Sequence, residues 1–227
     1  KTRSECIPAP PGFYIPASGA SHVGVTALNP LLKCTAGYFC MLGSYTATPD
    51  GTNRANDPTS GEELLYQDIG GPCSVGHFCP EGTPIEIPCT PGYKCSSTQL
   101  TAATVLCDAG YYCEEGTSSD GDRIICPPGY YCIEGSAEPI PCPAGRYDLL
   151  SNGGLQSETA CTLCTKNYYC PNVKQTSVDT TNHKCDPGFY CPEGSVHPRT
   201  TICELGYKCP QADADPIACS GNGEYQD

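Results

Sequence analysis

Tryptophan is absent from this 227-residue chain, methionine occurs once, and only 38% of residues are hydrophobic. A single large packed core is therefore not expected. No apolar run approaches the ~20 residues that a membrane-crossing helix needs, so no direct membrane span is expected either. Basic residues are also scarce, with 12 Lys and Arg against 25 Asp and Glu and a net charge of −13. Nucleic-acid binding needs a basic surface, so nucleic acid is not an expected partner. None of the eight Asn residues opens an Asn-x-Ser/Thr sequon, so N-linked sugar is not expected. Gly-x-Ser-x-Gly, His-Glu-x-x-His and phosphate-loop patterns are missing, and His22, His77, His183 and His197 are scattered. The sequence implies neither an enzyme nor a cofactor.

What the chain does contain is cysteine, 20 in all, together with 25 Gly and 23 Pro. Cysteine at this density marks a disulfide scaffold in an oxidising compartment, hence an extracellular or cell-surface setting. The chain opens at Lys1 without a signal peptide, as a mature product or an excised piece would.

The cysteines are periodic. A Cys-x-x-Gly-aromatic-x-Cys motif, typified by Cys126-Pro-Pro-Gly-Tyr-Tyr-Cys132, starts at Cys34, Cys73, Cys89, Cys107, Cys126, Cys164, Cys185 and Cys203. The second cysteine follows six residues later, at Cys40, Cys79, Cys95, Cys113, Cys132, Cys170, Cys191 and Cys209. The fourth position holds Gly37, Gly76, Gly92, Gly110, Gly129, Gly188 and Gly206, with Asn167 in the remaining copy. Gly and Asn best tolerate positive φ, so the motif requires a left-handed residue in a tight turn. Pro91, Pro128 and Pro187 precede that Gly, in the order of a type II turn.

Two further copies are degenerate. Ala9-Pro-Pro-Gly-Phe-Tyr-Ile15 keeps the motif but has lost both cysteine positions together. The copy at Cys142 keeps Gly145 and Tyr147, with Asp148 where the closing cysteine belongs. Its cysteine finds a partner in Cys161, three residues ahead of Cys164. Starts at 73, 89, 107, 126 and 142 are spaced 16 to 19 residues apart, enough for one short hairpin each. Pro-rich returns limit strand length.

The fold class expected is thus a small, disulfide-rich array of β-turn and β-hairpin repeats, elongated and solenoid-like, with little helix. Its segments are a degenerate first repeat (1–33), a repeat with a long insertion (34–72), compact repeats (73–141), the Cys142 unit (142–163), further compact repeats (164–218) and the start of another unit (219–227). The insertion at 41–72, with Glu62-Glu63-Leu64-Leu65-Tyr66, is expected as a surface excursion. Tyr pairs such as Tyr111-Tyr112 and Tyr130-Tyr131 are expected to place one ring on the seam between repeats and the other outward.

Two pairings of the cysteines are open. In one, each motif closes on itself, Cys142 pairs with Cys161, and Cys6 and Cys219 remain. In the other, cysteines pair sequentially from Cys6–Cys34 onward, which forces Cys161 onto Cys164. Rings of seven and twelve residues are each worth roughly 2.5 to 3 kcal/mol, so loop entropy does not choose. The joint loss at Ala9 and Ile15 favours the first. Under it Cys219 looks like Cys142, and Cys6 looks like Cys161. Copies joined head to tail then complete one more such unit, giving a homopolymer; the plainer alternative is a Cys6–Cys34 bond and ends that are simply ends.

The 142–164 stretch, Cys-Pro-Ala-Gly-Arg-Tyr…Cys-Thr-Leu-Cys, resembles the ephrin-receptor-like cysteine-rich repeat, a relative in pattern of tumour-necrosis-factor-receptor modules. The Cys-Pro-Pro-Gly-Tyr-Tyr-Cys units resemble the variant in cysteine-rich surface and flagellar-hair (mastigoneme-like) proteins of protists. The resemblance implies elongated extracellular rods in stalks, coats or filaments. A structural subunit is the reading this supports; an ectodomain that binds a protein or glycan ligand is the alternative.

Zinc is not expected, since only Cys161-x-x-Cys164 has ligand spacing. Asp120-Gly-Asp122, Asp213-Ala-Asp215 and the turns at Glu81, Glu115, Glu134 and Glu193 leave weak Ca²⁺ binding open, without the ordered ligands of a calcium loop. Thr46-Ala-Thr-Pro49 and Ser96-Ser-Thr98 leave O-linked glycans open.

Overall fold

The computed structural model describes residues 9–15, 32–44, 46–51, 70–150, 152–209 and 216–219. They form short antiparallel hairpins, one in every repeat but that at Cys164. Phe13–Tyr14 pairs with Leu32–Lys33, Tyr38–Cys40 with Gly70–Pro72, His77–Phe78 with Ile87–Pro88, and Tyr93–Lys94 with Val105–Leu106. Tyr111–Tyr112 then pairs with Ile124–Ile125, Tyr130–Tyr131 with Ile140–Pro141, and Arg146–Tyr147 with Thr162–Leu163. Phe189–Tyr190 with Thr201–Ile202 and Tyr207–Lys208 with Ile217–Ala218 complete the series. In the repeat at Cys164 a single antiparallel bridge, Tyr168 to Lys184, stands in place of a hairpin. The helical content of the described residues is one 3-10 turn, Glu158–Ala160.

The sequence explains this brevity. In each hairpin the first strand starts directly after the turn residue, on an aromatic pair in five of the nine, and the second ends directly before the next motif. Proline at Pro88 and Pro141 sits in the second strand, where its missing N–H stops the ladder from growing. The turn residues named above, Asn167 among them, have φ between 72° and 89°. The insertion run at Glu62–Tyr66 lies outside the described residues.

The chain divides into two compact units, Lys1–Leu106 with Cys113–Arg123, and Cys107–Tyr112 with Ile124–Asp227. Among the described residues neither shows an aliphatic core. Among the described residues the buried apolar side chains are the half-cystines together with Ala9, Pro49 and Leu155. The small core of the second unit gathers Leu155 with Cys142 and Cys161, and Tyr131 packs against it. Disulfides supply the interior that aliphatic burial does not, as expected where apolar mass is small.

Candidate functional site: the seam between repeats

Disulfides close Cys34–Cys40, Cys73–Cys79, Cys89–Cys95, Cys126–Cys132, Cys164–Cys170, Cys185–Cys191 and Cys203–Cys209, with Cα atoms 5.8–6.0 Å apart. Cys142 bonds Cys161. Cys107 and Cys113 are both disulfide-bonded. Cys219 is free and exposed, and Cys6 lies outside the described residues.

The hydrogen bonds between repeats follow one rule. In the first unit, the Gly37 N–H donates to the carbonyl of Cys79, which closes the next repeat (2.7 Å), and the Cys73 N–H donates to the Gly37 carbonyl (2.9 Å). Gly12 makes the same pair with Cys40 and Cys34, at 2.7 and 3.0 Å. In the second unit, Gly110 does so with Cys132 and Cys126, and Gly188 with Cys209 and Cys203. The motif turn is therefore a clasp whose N–H and C=O both engage the following repeat.

A second left-handed position completes the seam. Gly82, Gly116, Gly135, Gly154 and Gly194 have positive φ, and so do Gln99 (60°) and Lys174 (63°). Their N–H groups donate back to the first residue of the preceding repeat: Gly82 to Cys34, Gln99 to Cys73, Gly135 to Cys107 and Lys174 to Cys142. Just after this position, Thr83, Thr117, Ser136 and Ser195 are buried, and each hydroxyl donates to the carbonyl three residues earlier, at 2.5–2.8 Å. Their own carbonyls are also used. Thr83 accepts the Cys40 N–H, and Ser195 accepts that of Cys170. The Gly-Ser/Thr recurrence is visible in the sequence, where it reads as no more than a turn. Gln99 and Lys174, set one residue later, obscure the pattern.

Packing also reaches two repeats ahead. A Cβ on Gly129 would lie 2.6 Å from the Lys174 carbonyl oxygen, and one on Gly37 would lie 2.7 Å from that of Gln99. Glycine is thus required twice over at these turns, by its φ and by the absence of room. The same long reach covers aromatic rings. The Lys174 ammonium sits 5.0 Å from the Tyr130 ring centre, and Gln99 Nε2 donates to the Tyr38 hydroxyl at 2.6 Å. Tyr131 instead meets the Leu155 cluster of the next repeat. Both Tyr130 and Tyr131 are half-buried, as are Tyr111 and Tyr112. The expected division into one seam ring and one outward ring does not hold, because successive rings serve successive repeats.

Asp148 is the residue the sequence least announced. It occupies the closing-cysteine position, is 1% exposed, and accepts the Gly129 N–H at 2.9 Å and the Leu150 N–H at 2.7 Å. In the neighbouring seams a cysteine carbonyl takes the bond that the Asp148 carboxylate takes here. Its N–H keeps the ordinary role, donating to Gln175 at 2.8 Å.

Asp120, Asp122 and Asp179 are engaged by the protein's own groups. Lys94, whose side chain is 10% exposed, donates to Asp120 at 2.8 Å, and Arg123 lies 3.4 Å from the same oxygen. The Lys94 hydrogen bond, then the charges of Arg123 and Lys94, hold the Asp120 carboxyl below the usual range. Hydrogen bonds from the Ser118 and Ser119 hydroxyls do the same for Asp122. Asp179 is lowered by Asn182 and Thr181, which donate to it across a surface turn. Asp213 and Asp215 lie outside the described residues. Among the described residues no group of three or more His, Cys, Asp or Glu gathers as a metal site, and no helix is long and apolar enough to cross a membrane. His77 fills an aromatic slot and shares Nδ1 with Ser74 Oγ and the Val75 carbonyl, both at 3.3 Å. His183 stacks on Tyr169 at 4.9 Å.

No protein-family model matches the chain. It is similar to the ABC transporter G family member 25 of Oryza sativa subsp. japonica, 26% identical over 151 residues, which is 66% of this chain but 13% of that protein.

Proposed function

We propose that the chain is an extracellular structural protein, a subunit or period of a disulfide-stabilised filament or surface coat that assembles head to tail. The observation that carries this reading is the seam. The same backbone clasp recurs between repeats whose loops differ in length and composition, so the folding rule is additive along the chain. Such a rule joins a repeat of another copy as readily as one of its own. Heterologous contacts that do not close on themselves give filaments.

The Cys142–Cys161 bond is the internal pattern for a covalent joint between copies, with Cys219 in the place of Cys142 and Cys6 of the next copy in the place of Cys161. The bonded cysteines support an oxidising environment. The kinship with ephrin-receptor-like and flagellar-hair repeats belongs to this reading.

Negative-stain microscopy and non-reducing electrophoresis of the oxidised chain test it. Filaments, and a ladder of oligomers that collapses on reduction, are expected. A monodisperse monomer with both terminal cysteines bonded within one chain overturns it.

A further inference from the structure

Of the eight asparagines in the chain, Asn152 and Asn222 stand directly before glycine. The order matters because the side-chain carbon of an asparagine is open to attack by the backbone nitrogen of its own follower. A follower without a Cβ allows the closest approach. Asn222 lies outside the described residues. Asn152 is exposed on the turn after Asp148, and among the described residues its side-chain amide has no hydrogen-bond partner. The Gly153 N–H, which would have to be given up, donates to the Leu150 carbonyl at 3.2 Å. The other described asparagines are less open to this attack. Tyr168, Val173 and His183 follow Asn167, Asn172 and Asn182, and each brings a side chain against the attacking nitrogen. Asn182 is also held in place, its Nδ2 donating to Asp179 at 2.9 Å.

The backbone just after Asn152 belongs to a seam and has no slack. Gly153 and Gly154 have φ of 71° and 87°. The Gly154 N–H donates to the Cys126 carbonyl at 2.8 Å, and the Leu155 carbonyl accepts the Cys132 N–H at 2.9 Å. A Cβ on Gly153 would run into the Cys126 carbonyl oxygen. Leu155 is buried against Cys142 and Cys161. A reactive side chain thus sits at the surface, one residue ahead of a tightly fitted joint.

We propose that Asn152–Gly153 is a site of spontaneous deamidation, and that its isoaspartate product opens the seam between the Cys126 and Cys142 repeats. The Gly153 nitrogen loses its proton to solvent base and bonds to Asn152 Cγ, and the side-chain nitrogen leaves as ammonia. Water then opens the cyclic succinimide. Cleavage of the Cγ–N bond gives aspartate, with the backbone as before. Cleavage at the backbone carbonyl gives isoaspartate, in which the chain runs through Cγ and is one carbon longer. In sum, amide and water become carboxylate and ammonium, without oxidant or reductant. The added carbon falls directly before the packed Gly153, so it displaces Gly154 from the Cys126 carbonyl. Aspartate adds only a charge at an exposed position.

The test incubates the oxidised full chain at about pH 8 and about pH 5, where the attacking nitrogen keeps its proton more firmly. Peptide mapping by mass spectrometry follows, with the reduced, urea-unfolded chain as reference. Asn152 should convert about tenfold faster than Asn172 or Asn182 in the folded chain, and more slowly in acid. Hydrogen exchange of the incubated folded chain is then read on the separated peptides. Exchange at Gly154 should be about tenfold faster on the isoaspartate peptide than on the unconverted or aspartate peptide. Asn152→Gln changes an exposed side chain and should abolish both effects, because glutamine closes a larger ring far more slowly. Asn152 intact in the folded chain while the unfolded chain converts overturns the site. Equal conversion at Asn152, Asn172 and Asn182 overturns it as well. Conversion that leaves Gly154 exchange unaltered overturns the opening of the seam.

Discussion

The repeats opening at Cys126 and at Cys142 adjoin in the chain and turn through the same left-handed glycine, yet they close differently. The first is locked by Cys126–Cys132 across its own turn. The second has Asp148 in the closing position, and its cysteine reaches to Cys161. Their clasps accept alike but donate differently, Gly129 to the Asp148 carboxylate and Gly145 to the Cys170 carbonyl. Cys142 donates to Gly129 as Cys164 donates to Gly145, at 3.0 and 2.8 Å. The repeat at Ala9, which has neither cysteine, also keeps the clasp through Gly12. Two jobs that one motif combines are thus separable. The disulfide restricts the unfolded chain, while the turn glycine and its two backbone bonds define the seam.

Five variants and a titration would break or sharpen this comparison. The largest effect is expected at Gly129→Ala. The left-handed backbone alone costs about 1–2 kcal/mol for an alanine, and displacing the Lys174 carbonyl adds strain of about another 1–3 kcal/mol. Gly188→Ala meets open space among the described residues and should cost only the first part. Urea denaturation and amide exchange of the two variants would measure the gap, and equal losses would show that crowding at Gly129 does not matter.

Asp148→Ala follows, at about 2–4 kcal/mol, since it strips the acceptor from the Gly129 and Leu150 N–H groups and each buried orphan costs about 1–3 kcal/mol. Exchange at those two amides is the specific readout. Asp148→Asn keeps one acceptor oxygen and should fall between the alanine variant and the parent.

Removing the bridge at Cys126 and Cys132 together by alanine should cost roughly 2.5 kcal/mol, the unfolded-state value of a seven-residue ring. The Gly110 and Gly129 amides should stay protected if the two jobs are separate. Their full exposure in the double variant would refute the separation.

The smallest effect concerns pH. Asp120 titrates below the usual carboxylate range because Lys94 and Arg123 hold it charged. The Lys94 contact is therefore complete above that range and is lost as the pH falls through the lowered value. NMR shifts of Lys94 and Asp120 should move together in acid, while the clasp amides stay unchanged.

Much of the fold was legible because its determinants are local. Only Gly or Asn fills a left-handed turn at Gly129 or Asn167 at little cost. Proline at Pro88 and Pro141 ends a ladder wherever it stands, so short hairpins follow directly. The joint loss at Ala9 and Ile15 likewise pointed to closure within each motif. What was not legible is the role of groups whose partners lie one or two repeats away. Nothing in the order of residues says that Gly129 faces Lys174, that Tyr131 meets Leu155, or that Thr83 and Ser195 are buried. Asp148 looked like a missing cysteine, and its function is visible only where its carboxylate meets the Gly129 N–H.

From its sequence alone, this protein is determined to be a cysteine-closed repeat array of short hairpins, because φ preference, ring closure and strand breaking act within a few residues. The tertiary structure decided how repeats lock and which rings cover which neighbours. Those outcomes depend on backbone groups, which every residue carries alike and which acquire partners only when distant turns are brought together in space.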